Sequence, residues 1–165
     1  MSAPSLRLRE LLQRLVEAEI RFILVGGLAV NAWGYLRGTR DLDVVPDPDR
    51  ENLDKLAVFL QELGGRVDVG GRLLDSSAIS TFLKTGDRTL VLTDLGQIDV
   101  LQGLPQVPRY EELESQAHDI DLEGLAVRVC SLEHLLAMKR ASDRPRDRDD
   151  LEALEAAQEE GGAGA

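Results

Sequence analysis

The stretch that decides the fold is Val25–Val45, VGGLAVNAWGYLRGTRDLDVV. A short apolar run, Arg21–Val25, reads as a buried strand and ends on Gly26-Gly27. The glycines open a helix that the pattern carries to about Tyr35. Arg37-Gly38-Thr39 is a polar turn, and Asp41–Val45 alternates acid with apolar residues as a half-buried strand does. Successive strand side chains point to opposite faces, so Asp41 and Asp43 share one face while Leu42 and Val44 share the other.

Outward from this core, Leu6, Leu8, Leu11, Leu12, Leu15 and Val16 predict an amphipathic first helix. Downstream, Pro46 and Pro48 stop the Asp41–Val45 strand, and Asp49 caps a helix that Gly64-Gly65 ends. Residues 66–78 give only an irregular strand and loop. Ile79–Lys84 and Arg88–Leu92 predict a hairpin turning at Thr85-Gly86-Asp87, and Gly96–Leu101 a further strand. Tyr110–Ala117 reads as a short helix, and Ile120–Leu122 with Leu125–Val129 as a second hairpin. Ser131 caps a helix bearing Leu132, Leu135 and Leu136, and Pro145 suits the first turn of a last helix. The expectation is a mixed α/β (α+β) domain, a small mixed sheet flanked by helices, over residues 1–160, with a disordered tail at 161–165.

Aromatic residues make up only 4% of the chain, so Leu, Val, Ile and Ala must fill the core. The single cysteine, Cys130, excludes an internal disulfide and a cysteine-based zinc cluster. With no apolar leader and no stretch long enough to span a bilayer, the expected setting is cytoplasmic, with no membrane partner. A net charge of −11 argues against broad binding to nucleic-acid backbones. Six of those negative charges fall in residues 149–165, directly after a basic cluster of Lys139, Arg140, Arg144, Arg146 and Arg148. A small anion such as a nucleoside triphosphate is compatible with that pattern.

Two carboxylates as close as Asp41 and Asp43 repel unless a cation lies between them. Magnesium takes hard oxygen ligands, commonly one or two carboxylates plus phosphate oxygens. Asp99, in Gln97-Ile98-Asp99-Val100-Leu101, repeats the apolar–acid–apolar alternation. If its strand neighbours Asp41–Val45, three acids can converge on one site. Gly26-Gly27 lets backbone approach an anion closely, yet the run is neither a Walker loop nor a dinucleotide fingerprint. Taken alone, each element has an ordinary structural explanation: a solvated strand face for the acids, a tight turn for the glycines, and for Lys139 a helix-surface pairing with Asp143. Arg37, Thr39 and Arg40 precede the acids, where a cation can meet a phosphate.

Val25-Gly26-Gly27, thirteen residues, then Asp41-Leu42-Asp43-Val44 resembles the signature of the polymerase-β-type nucleotidyltransferase superfamily. The block Leu136–Leu151, LAMKRASDRPRDRDDL, is similar to one found in the small bacterial nucleotidyltransferases grouped with abortive-infection toxins. The resemblance implies that Asp41 and Asp43 hold catalytic Mg²⁺ or Mn²⁺, with Asp99 as a third acid on the metal that helps to activate the acceptor. It implies that Gly26 and Gly27 hold the donor phosphates by backbone amides, and that Lys139 contacts the triphosphate; Arg40, from its position just before the acids, is assigned to the nucleotide site beside them. Asp147 or Asp150 would orient the lysine or complete the pocket. Gly27 stands where many relatives carry serine.

The expected function is therefore metal-dependent transfer of a nucleotidyl group from a nucleoside triphosphate to a hydroxyl of RNA (tRNA included), protein or a small molecule. The resemblance adds a toxin–antitoxin or phage-defence setting with a cognate partner protein. The alternative is a non-catalytic, partner-dependent module on the same fold.

Overall fold

The computed structural model describes residues 3–163, with side-chain surroundings for 7–159. The chain runs α1 (Ala3–Glu17), β1 (Phe22–Val25), α2 (Gly26–Ala32), β2 (Asp41–Pro46), α3 (Arg50–Glu62), β3 (Arg66–Val69) and β4 (Arg72–Leu74). A 3₁₀ turn at Ser76–Ala78 leads into α4 (Ile79–Thr85), β5 (Asp87–Thr93), β6 (Gly96–Gln102), α5 (Tyr110–Gln116), β7 (His118–Leu122), β8 (Leu125–Val129), α6 (Leu132–Ser142) and α7 (Pro145–Ala163). Among the described residues, the eight strands join one mixed sheet in the order β4-β3-β5-β6-β2-β1-β8-β7.

β1 lies inside this sheet, antiparallel to β2 and parallel to β8, and all four of its residues are buried. Its run Phe22-Ile23-Leu24-Val25 has no polar alternation because both of its faces are covered. β2 keeps its alternation: Leu42 and Val44 are buried on one face, while Asp41 and Asp43 stay half-buried on the other. The core joins Leu11 and Leu15 of α1 and Leu56 and Leu60 of α3 to Ile23, Leu42, Ile98 and Val100 of the strands. Each such side chain taken from water contributes roughly 1.5–3 kcal/mol. Asn52, also buried, ties α3 to the sheet: it accepts from the Arg21 amide and donates to the carbonyls of Arg21 and Asp47.

Most local punctuation works as expected. Asp49 accepts from the Asn52 amide and Ser131 from the His134 amide, each as a helix cap. Other expectations do not hold. Ile79–Lys84 is not a strand but belongs to α4, and β5 pairs with β6 instead. Ile79, Phe82 and Leu83 fall at i, i+3 and i+4, which a helix can bury together; Ile79 and Leu83 are fully buried. Asp75 caps the preceding 3₁₀ turn, giving the segment a helical start. The stretch 66–78, expected to be irregular, forms the hairpin β3–β4 and that turn. Helix α7 runs through Ala163, three residues into the expected disordered tail; residues 164 and 165 lie outside the described part. Helix ends without a cap are set by no side chain, so their last turn is weakly encoded. Among the described residues, no helix is long and apolar enough to cross a membrane.

Candidate active site

β1 delivers the chain to Gly26, which lines a cleft of about 500 Å³. Gly26 has φ +69°, and a Cβ there would collide with the Asp43 carboxylate. Backbone conformation and space both demand glycine. At Gly27 a Cβ would lie 2.6 Å from Thr39 Oγ1, so a serine has no room and the threonine hydroxyl fills that wall. Both glycines line the cleft.

The acids come from neighbouring strands. β2 and β6 pair in parallel with Asp43 opposite Asp99, and Asp41 opposite Gln97. All three carboxylates therefore stand on one sheet face, and all three line the cleft. From β5, two positions from the residue opposite Asp99, Arg88 reaches the same face. Its Nη2 donates to Asp99 Oδ2 at 2.9 Å and its Nε to Oδ1 at 3.3 Å. Burial, then the charge and hydrogen bonding of Asp99 and the charge of Asp41, push the Asp43 carboxyl up to about 7. Burial also raises Asp41, helped by Asp99 and opposed by Arg146, Arg88 and Arg40.

This donor set suits a hard divalent cation: a carboxyl that resists ionising beside two others marks negative charge in want of a counter-ion. Asp41 and Asp43 could supply two oxygens to one ion. Arg88 already holds Asp99, and among the described residues no three acidic, histidine or cysteine side chains form a ready-made cage.

The cleft is also lined by Arg37, Lys139, Ser142, Arg144 and Asp147, members of an ion network built around two buried acids. Lys139 on α6 donates to Asp147 Oδ1 at 3.1 Å and lies 3.0 Å from Asp150 Oδ2. Arg37 forks onto Asp150 at 2.7 and 2.9 Å, and Asp147 accepts from Ser142 Oγ at 2.6 Å and Arg144 Nε at 2.8 Å. Asp147 and Asp150 are fully buried. Burial pushes both carboxyls up, but the donors outweigh it: Arg144, Ser142 and Lys139 at Asp147, and Arg37 and Lys139 at Asp150 hold each below its ordinary value. Lys139 therefore pairs with the two α7 acids and not with Asp143, which turns left-handed at the α6 end and binds Arg148. Arg40 is exposed and outside the cleft lining, although its charge reaches Asp41.

With this geometry in place, a family of nucleotidyl transferases of unknown function (DUF2204) matches residues 5–163. The chain belongs to that family of nucleotidyl transferases. No curated protein matches its sequence. The fold is similar to the lincosamide antibiotic adenylyltransferase LnuA in its lincomycin-bound form, at 17% identity and TM-score 0.65, over 92% of this chain and 96% of that one. It is also similar to ANT(2")-Ia in complex with adenylyl-2"-tobramycin, at 18% identity and TM-score 0.62, covering 99% and 92%. A third likeness, at 15% identity and TM-score 0.52, over 93% of this chain and 91% of that one, is to a Thermotoga maritima protein solved as a candidate nucleotidyltransferase.

In this nucleotidyl transferase the cleft also holds residues to which sequence reading gave no role in the site. From the sequence Arg88 is only part of a strand; its place on the same sheet face as the acids depends on β5 pairing with β6, which strand alternation alone does not reveal. Arg144 and Arg146 were visible as a basic cluster, but which of them face the cleft depends on how α7 docks.

Proposed function

We propose that the cleft transfers a nucleotidyl group from a nucleoside triphosphate to a hydroxyl of a small molecule, with Mg²⁺ or Mn²⁺ held by Asp41 and Asp43. The observation that carries this reading is the β2–β6 register, which sets Asp43 beside Asp99 in a cleft walled by Gly26 and Gly27. A divalent cation bound there supplies charge neutralisation for the departing pyrophosphate. The chain's own residues do the rest. Gly26 and Gly27, which carry no side chains of their own, let the donor phosphates approach the backbone at the turn into α2. In this reading Asp99, held by Arg88, accepts the proton of the acceptor hydroxyl. As that oxygen bonds to the α-phosphorus, the bond to the bridging oxygen breaks and pyrophosphate leaves in line.

A small acceptor is favoured by the net charge of −11, which repels nucleic-acid backbones. The two antibiotic-modifying proteins of similar fold are consistent with it. The test is incubation with each α-labelled nucleoside triphosphate, Mg²⁺ and separate pools of aminoglycosides, lincosamides, protein and RNA. The expected result is label on a small hydroxylated acceptor, lost roughly 10²-fold or more in Asp43→Asn while the melting temperature stays at or above wild type. Full activity in that variant would sink the assignment. A toxin–antitoxin or phage-defence setting with a cognate partner protein rests on the block 136–151. Its test is growth arrest on expression, abolished by Asp43→Asn and relieved by a co-encoded partner.

A further inference from the structure

The cleft is lined by five cationic side chains, Arg37, Arg88, Lys139, Arg144 and Arg146. Four of them are committed. Arg37 holds Asp150, Arg88 holds Asp99, Arg144 holds Asp147, and Lys139, only 6% exposed, lies between Asp147 and Asp150. Arg146 is exposed and, among the described residues, has no acid within ion-pair distance. It is nevertheless well placed. It sits in the first turn of α7, next to Asp147, whose buried contacts fix that turn against α6. It lines the same cleft as Asp41, Asp43 and Asp99.

The two candidate phosphate ligands face unequal costs. To meet an anion, Lys139 would have to loosen charge-assisted bonds to two buried carboxylates, leaving them short of a partner in the interior. Arg146 would give up only hydration, and its planar fork matches phosphate oxygens two at a time. We infer that Arg146 is the side chain that grips the donor's triphosphate, and that Lys139 is a buried anchor holding α7 against α6. This rests on the nucleotidyl-transfer reading of the cleft and deepens it.

Inorganic tripolyphosphate with Mn²⁺ is the probe, because it carries the phosphate chain and is independent of the unknown base. Calorimetric titration would compare the wild type with Arg146→Ala, Arg146→Lys and Lys139→Met, with melting temperature measured alongside. The expected result is at least tenfold weaker binding in Arg146→Ala, partial retention in Arg146→Lys, and an unchanged melting temperature in both. Lys139→Met should melt several degrees lower or fail to fold and, where folded, bind the probe within a few-fold of wild type. Wild-type affinity in Arg146→Ala overturns the inference while leaving the functional reading standing. Lost affinity with an unchanged melting temperature in Lys139→Met overturns it too. A wild type that binds neither tripolyphosphate nor any nucleoside triphosphate removes both.

Discussion

An aspartate buried beside two others keeps its proton far longer than one in water, and Asp43 does so up to about pH 7. In the unfolded chain it would lose that proton near its ordinary value of 3.8. The folded state thus binds the proton more tightly. Its contribution to stability is full below about pH 4 and is lost as pH rises through about 7. For metal-free protein, Asp43→Asn should melt higher than wild type at pH 8, with the difference shrinking toward pH 4 in calorimetric scans. A difference that is absent at pH 8, or that grows toward pH 4, would contradict the burial argument. Gly26 offers a second residue-scale test. Gly26→Ala adds a left-handed non-glycine residue, about 1–2 kcal/mol by itself, and a Cβ against Asp43. A lower melting temperature and lost activity are expected. Both residues were legible in the sequence because their signals are local: a glycine pair ending an apolar run and a two-residue alternation of acids. Arg88 was not, since its role depends on which strand lies beside Asp99.

Among the elements, α7 is held less by an apolar stripe than by ions. Leu154 is fully buried, while Asp147 and Asp150 reach inward to Lys139 and Arg37. Removing one partner of such a buried set costs about 3–5 kcal/mol, because the others remain desolvated. Lys139→Ala should lose about that much in urea unfolding, and Arg140→Ala, whose bridge to Glu155 is half exposed, under about 1 kcal/mol. Equal small losses would mean that the network is not anchoring the helix. The block 136–151 drew attention in the sequence, but its charge pattern alone fits a solvated face equally well. Only the docking of α7 on α6 separates those readings. The same limit misassigned α4: Ile79 and Thr81 favour a strand, whereas Ile79 and Leu83 share a helical face that becomes apolar burial only when the core is assembled.

At the scale of the molecule, a chain of net charge −11 gathers five cations around one cleft that also holds the three strand acids. On the proposed reading, such an arrangement suits a compact polyanion accompanied by a metal, while the net negative charge repels an extended one. Fluorescence anisotropy with single-stranded RNA at about 50 mM salt should therefore show negligible binding in the absence of nucleotide. The mixed sheet was readable from the alternation and punctuation of its strands. Its order was not, because placing β6 beside β2 joins segments far apart in the chain. That pairing is the foundation of the site. The most direct measurement is anomalous diffraction from crystals containing Mn²⁺ and a non-hydrolysable triphosphate. Manganese between Asp41 and Asp43, with the phosphates beside Gly26 and Gly27, is the predicted result. Nucleotide bound with no metal at those carboxylates, or bound elsewhere on the molecule, would contradict it.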